Sequence, residues 1–99
     1  MKPIILKLAK DDLREIYEQL FEYGMNTQKN FRESFEKFCI LVENMPYIYS
    51  RYEPNPKYRR AVIEYGYSIF YQVDDLNRRV KVYRVLHGKR DIKNHLDDD

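Results

Sequence analysis

Apolar residues in the first half of the chain recur at the spacing of one helical face. Leu13, Ile16, Tyr17, Leu20 and Phe21 follow an i, i+3, i+4, i+7, i+8 pattern, which predicts an amphipathic helix. Asp12 with Glu15 fits a capping box at its start, and Gly24 supplies a stop. A second stripe, Phe31, Phe35, Phe38, Cys39, Val42 and Met45, predicts another helix, capped by Thr27 and ended by Pro46. So short a link between the two predicts an antiparallel helical hairpin. Before the hairpin, "IILKL" (Ile4 to Leu8) is bounded by Pro3 and Lys10 and reads as a short strand.

Further along, the period shortens. "MPYIYSRYEPNPKY" holds three prolines, which rule out a regular helix or central strand and leave a loop. "YRRAVIEY" and "YSIFYQVDD" read as strands separated by Gly66, and "DDLN" is turn chemistry leading into a further strand, "RRVKVYRVLHG". The predicted order is β-α-α-β-β-β. That is an α+β fold whose mostly antiparallel sheet carries the helical hairpin on one face. Residues 1–99 form one domain, with 97–99 expected as a flexible acidic tail. The other sheet face is expected to stay open. In the last strand, Val80, Val82, Arg84 and Leu86 make the better core set. Tyr83 and His87 then fall on the open face.

Composition narrows the class. The chain is 43% hydrophobic and 15% aromatic, too rich for disorder although 34% of it is charged. A single cysteine, Cys39, cannot form an internal disulfide or a CxxC metal site and fits a reducing compartment. The apolar run near the N-terminus is too short for a signal peptide or a membrane span, so a soluble, cytoplasmic protein is expected. No cofactor and no metal site is expected, since the two histidines lack a ligand set at recognised spacing.

The formal net charge of +2 conceals an asymmetry. Residues 1–50 hold seven basic and eight acidic side chains, whereas residues 51–93 hold eleven and five. A basic second half suggests an anionic partner, either nucleic acid or an acidic protein segment. Tyr47, Tyr49 and Tyr52, interleaved with Arg51, could stack on bases, but such a loop more often lays its rings over the edge of a small core.

Taken together, "DDLREIYEQL" in the first helix, the aromatic "IFYQVD" strand and above all "RVLHGKRDI" closing the last strand resemble the RelE/ParE superfamily of type II toxin–antitoxin toxins. The resemblance spans nearly the whole chain. It implies a growth-inhibiting toxin, of the kind associated with plasmid stabilization, neutralised by a cognate antitoxin in a hetero-oligomer. Relatives that look like RelE cleave mRNA on the ribosome; those that look like ParE inhibit DNA gyrase and are not nucleases. Fold cannot separate the two, so residues must.

Cleaving RNA takes a base for the 2′-hydroxyl, cations for the developing charge and an acid for the leaving oxygen. RelE-like enzymes commonly carry an arginine after the Gly-Tyr opening of the middle strand, where "YGYSIFY" places Ser68. Arg90 matches their arginine after the last strand, whereas Leu96 stands where some have a tyrosine. On the preceding strand Arg59 matches a basic position and Ala61 does not. An enzyme would therefore rely on His87, Arg90 and Arg59. The incomplete set leans instead towards a ParE-like, non-nucleolytic gyrase inhibitor, or a degenerate member acting only as a binding module. Partner-binding residues are then expected to be Tyr83, His87, Lys89, Arg90, Arg51 and Arg60. Arg59 and Arg60 are neighbours on a strand and must point to opposite faces.

Overall fold

Helix α1 starts earlier than its capping box implies. Strand β1 spans Lys2–Ile5, and α1 runs over Lys7–Phe21, with Leu6 as the flanking residue and no side-chain cap. The Leu6 amide donates to the Val82 carbonyl at the end of β1, and the Lys10 amide already donates to Leu6. One residue thus finishes the strand pairing and opens the helix. Burial of Ala9 extends the apolar stripe of Leu13, Ile16 and Leu20 one turn towards the N-terminus. Asp12 is released from capping for another task.

Helix α2 spans Met25–Asn44 and buries Phe31, Phe35, Phe38 and Val42. Its flanking residue is Gly24, at φ +109°, a conformation L side chains rarely adopt. Thr27, the expected cap, lies inside the helix and donates its hydroxyl to the Tyr23 carbonyl.

The remaining elements are β2 (Arg59–Val62), a 3-10 turn (Glu64–Gly66), β3 (Tyr67–Asp74), β4 (Arg79–His87) and a third helix, α3 (Gly88–Leu96). This computed structural model describes residues 1–96 apart from the Arg90 side chain; the acidic tail at 97–99 lies outside the described residues. The sheet order is β1-β4-β3-β2, with β1 parallel to β4 and the other two pairings antiparallel. It is a mixed sheet, and the element order up to β4 is the one the sequence predicts.

Both faces of the sheet are covered. On one, α1 and α2 enclose Ala61, Ile69, Tyr71, Val80, Val82 and Val85. On the other, Ile92 and Leu96 of α3 pack with Tyr58, Phe70 and Leu86. The expectation of an open second face is therefore corrected. Its physical reason is the Leu86, Ile92 and Leu96 set, whose last two members are four apart and share a helical side.

Candidate functional site

Strand β4 does not keep a strict alternation. Its register with β3 shifts between Phe70 and Tyr71, so that Phe70 pairs with Arg84 but Tyr71 pairs with Val82. The extra residue is a β-bulge at Tyr83. Val82 and Val85, an odd number apart, consequently join the same core under the helical hairpin. The bulge also separates two residues expected together. Tyr83 is half-buried on the α3 side, its ring 5.3 Å from that of Tyr58. His87, pairing with Tyr67, stays exposed beside the hairpin-side aromatics, 4.7 Å from the Tyr67 ring.

Asp12 secures the bulge. Its carboxylate accepts two hydrogen bonds of 2.8 Å from the Arg84 guanidinium and a third, of 3.0 Å, from the Val85 amide. Strand β1 pairs with β4 only as far as Val82, so this carboxylate takes over the edge of β4 where β1 stops. Both side chains of the pair are largely buried, and Asp12 holds the Arg84 guanidinium above its already high pKa. A two-pronged carboxylate–guanidinium contact of this kind fixes orientation as well as adding strength.

His87 is fixed in turn. Its Nε2–H donates to the Tyr65 carbonyl at 3.0 Å, and the ring lies against Gly66. Tyr65 has φ +62°, a left-handed conformation uncommon for a tyrosine, and Gly66 has φ +78°. Together they turn the chain so that a carbonyl faces the end of β4. Around them, Asp12, Glu15, Tyr67, Arg84, His87 and His95 line a polar cleft of about 360 Å³ between α1, β4 and α3. Lys89 is exposed on α3 just beyond it. The Arg90 backbone belongs to α3, while its side chain lies outside the described residues.

The other expected site residues lie elsewhere. Arg59 pairs with Tyr71 and His87 with Tyr67, four residues apart along β3, or roughly 13 Å of strand. Arg59 donates to the Tyr49 carbonyl at 2.8 Å and sits 5.0 Å from the centre of the Tyr47 ring. Arg60, on the opposite face as expected, donates to Ser68 Oγ at 2.9 Å and lies over the Tyr52 and Phe70 rings. Arg51 donates to the Pro56 carbonyl. The three positions lacking the RelE-like groups are all interior: Ser68 is 1% exposed, Leu96 1% and Ala61 0%. Two of the loop tyrosines are also packing residues, Tyr49 against Phe38 and Tyr71, and Tyr52 against Phe70. Tyr47 alone of the three is exposed.

An apolar groove of about 570 Å³ runs along α1, lined by Leu13, Tyr17 and Phe21 with Gln28 of α2. Phe21, Tyr23 and Met25, at the tip of the hairpin, are exposed. Phe21 had been expected on the core stripe; it lies instead in the last turn of α1, past the end of the sheet's cover. Among the described residues no group of three His, Cys, Asp or Glu side chains is placed to hold a metal ion, and no helix is long and apolar enough to cross a membrane. Helix α3 is the element that sequence reasoning missed. The signal was there: Gly88 at φ +84° marks the break from β4, and Ile92 and Leu96 follow at helical spacing.

Comparison with known proteins agrees with this architecture. Residues 4–92 match the family model described as ParE toxin of type II toxin–antitoxin system, parDE. The fold is similar to a solved structure described as a chromosomal ParDE toxin–antitoxin system from P. aeruginosa, with a TM-score of 0.69 at 17% identity, covering 90% of this chain and 97% of that one. No curated protein matches the sequence.

Proposed function

Since the chain belongs to the ParE toxin family of type II toxin–antitoxin systems, we propose that it is a non-nucleolytic inhibitor of DNA gyrase, held inactive by a cognate antitoxin. One observation carries the choice against mRNA cleavage. The positions where a RelE-like nuclease holds charged or ionisable groups are packing positions here: Ser68 anchors Arg60 from inside the sheet, and Leu96 seals the core under α3. Arg59 and His87, two cations or bases that such an enzyme would need at one phosphate, pair with Tyr71 and Tyr67, four residues apart along β3. General acid–base work needs its groups within hydrogen-bonding reach of one substrate.

On this reading the rim of His87, Lys89 and Arg90, with the basic side chains Arg51 and Arg60 and the half-buried Tyr83, makes contacts and performs no chemistry. The antitoxin is a protein partner in a hetero-oligomer, and its helix has an apolar seat in the α1 groove of Leu13, Tyr17 and Phe21. The test is toxicity on induced expression of variants. His87→Ala is expected to leave growth inhibition nearly unchanged, whereas reversing the rim charge with Lys89→Glu and Arg90→Glu weakens gyrase binding in a salt-dependent way. Abolished toxicity in His87→Ala, with antitoxin binding intact, would instead support the ribosome-dependent mRNA endonuclease.

A further inference from the structure

Away from the β4 rim, the loop before β2 and the turn after β3 enclose a second polar pocket. It has a volume of about 200 Å³ and is lined by Tyr47, Arg51, Lys57, Arg59, Gln72 and Asp75 among others. Arg51, Lys57 and Arg59 line it together with the Asp75 carboxylate. Each of the two arginines is tied to a backbone carbonyl. Arg51 Nη1 donates to the Pro56 carbonyl at 2.9 Å, and Arg59 Nη1 donates to the Tyr49 carbonyl at 2.8 Å while its plane sits beneath the Tyr47 ring. Each guanidinium thus spends one donor on the backbone. Neither is ion-paired among the described residues, so each keeps donors for a ligand.

Asp75 enters this pocket from the far side, and the Tyr47 hydroxyl donates to its carboxylate. The bond ties the proline-rich loop to the β3–β4 turn across the mouth of the pocket. The Asp75 carboxylate keeps the Tyr47 phenol above its usual range, against the opposing pull of Arg59 and Arg51. One carboxylate of the chain itself thus already lines the pocket together with the two guanidinium groups.

We infer that this pocket binds the carboxylates of an acidic peptide segment, with Arg51 and Arg59 as the paired guanidinium donors and Asp75 as an internal competitor. A guanidinium fork matches a carboxylate in geometry and holds its charge at any accessible pH. Pre-fixed donors lose little freedom when the ligand arrives. Single-stranded nucleic acid also offers anions, yet it relies on exposed aromatic faces for stacking. Here Tyr49 and Tyr52 are packed against the two cores, which leaves Tyr47, with Arg59 over one face of its ring, as the single exposed ring of the three. The observations favour the peptide. This site lies outside the β4 rim, and its test does not depend on toxicity.

The experiment is a titration of the whole chain, labelled with ¹⁵N, against a fluorescein-tagged peptide of alternating Glu and Ser, read by amide shifts and anisotropy. Shifts confined to residues 47–59 and 72–75 are expected. Arg59→Gln should weaken binding about tenfold, the loss of one charge-assisted contact, while Arg32→Gln on the remote face of α2 should barely alter it. Asp75→Asn should tighten binding, and it should do so more than the equal charge change Glu33→Gln. Shifts spread over every basic surface, equal effects of Arg59→Gln and Arg32→Gln, or tighter binding of a poly-dT oligonucleotide than of the peptide would each overturn the assignment. A wild-type amide spectrum of Arg59→Gln distinguishes loss of the site from loss of the fold.

Discussion

The two faces of the sheet are built to different depths. Under the helical hairpin, fourteen buried residues among those described form one cluster, with Phe31 edge to face on Tyr67 and Phe38 edge to face on Tyr71. Under α3 the cluster has five: Tyr58, Phe70, Leu86, Ile92 and Leu96. The thick side carries the stability of a small domain. The thin side carries cationic groups at its margin, because α3 is short and its remaining residues, such as Lys89 and Lys93, face solvent. The surface proposed above to meet a partner thus lies over the thinner of the two cores, where local opening is expected to cost least.

Truncation should separate the two faces most clearly. Phe38→Ala, on the thick side, is expected to destabilise the fold by about 3–5 kcal/mol, since few neighbours can collapse into so large a cavity. Ile92→Ala, equally buried under α3, should fall near the lower end of the range for such changes, about 2 kcal/mol. Urea unfolding measures both. Amide exchange adds the direction, with α3 opening before β3 in each variant. Equal losses would show that the faces form one cooperative core.

Next in size is the link between the faces. Asp12→Ala strands the Arg84 guanidinium and the Val85 amide at the edge of β4, and should destabilise by about 3 kcal/mol. The double variant Asp12→Ala with Arg84→Met should recover part of that loss, because no buried charge is left unpaired. A double variant no better than the single one would place the cost in the Val85 amide alone.

Smaller again is a pH effect confined to the thick side. The Tyr71 hydroxyl donates to the Pro46 carbonyl, and burial pushes its pKa from 10.0 up to about 12. The folded chain therefore holds this proton more tightly than the unfolded one. Its contribution is complete below pH 10 and is lost as the pH rises towards 12. Tyr71→Phe should lose about 1 kcal/mol at neutral pH, for the missing hydrogen bond, and show a shallower alkaline decline. Unfolding at pH 8 and pH 11 tests both expectations.

The same contrast governs how much could be read from the sequence. The thick side was legible because Phe31, Phe35, Phe38 and Val42 repeat at helical spacing, and the strands around Gly66 alternate. The thin side was not. Strict alternation along β4 put Tyr83 with His87 and hid the bulge, which shows only when Val82 and Val85 are found in one core. Asp12 looked like a cap because its spacing to Glu15 suits one. A carboxylate seventy-two residues from its arginine partner leaves no local trace. Arg59 and His87 each suited a phosphate-binding role by residue type. Their separation along β3 is a matter of register, which single positions do not encode.

Pulse labelling distinguishes a protein that acts by contact, as proposed here, from one that cuts RNA. The chain is induced without its antitoxin, and incorporation into DNA and protein is followed over the first minutes alongside mapping of mRNA ends. DNA synthesis is expected to fail first, with a damage response and intact messages. Early arrest of protein synthesis with cuts inside codons would contradict it, and would mean that groups other than Ser68 and Leu96 have replaced the missing nuclease residues.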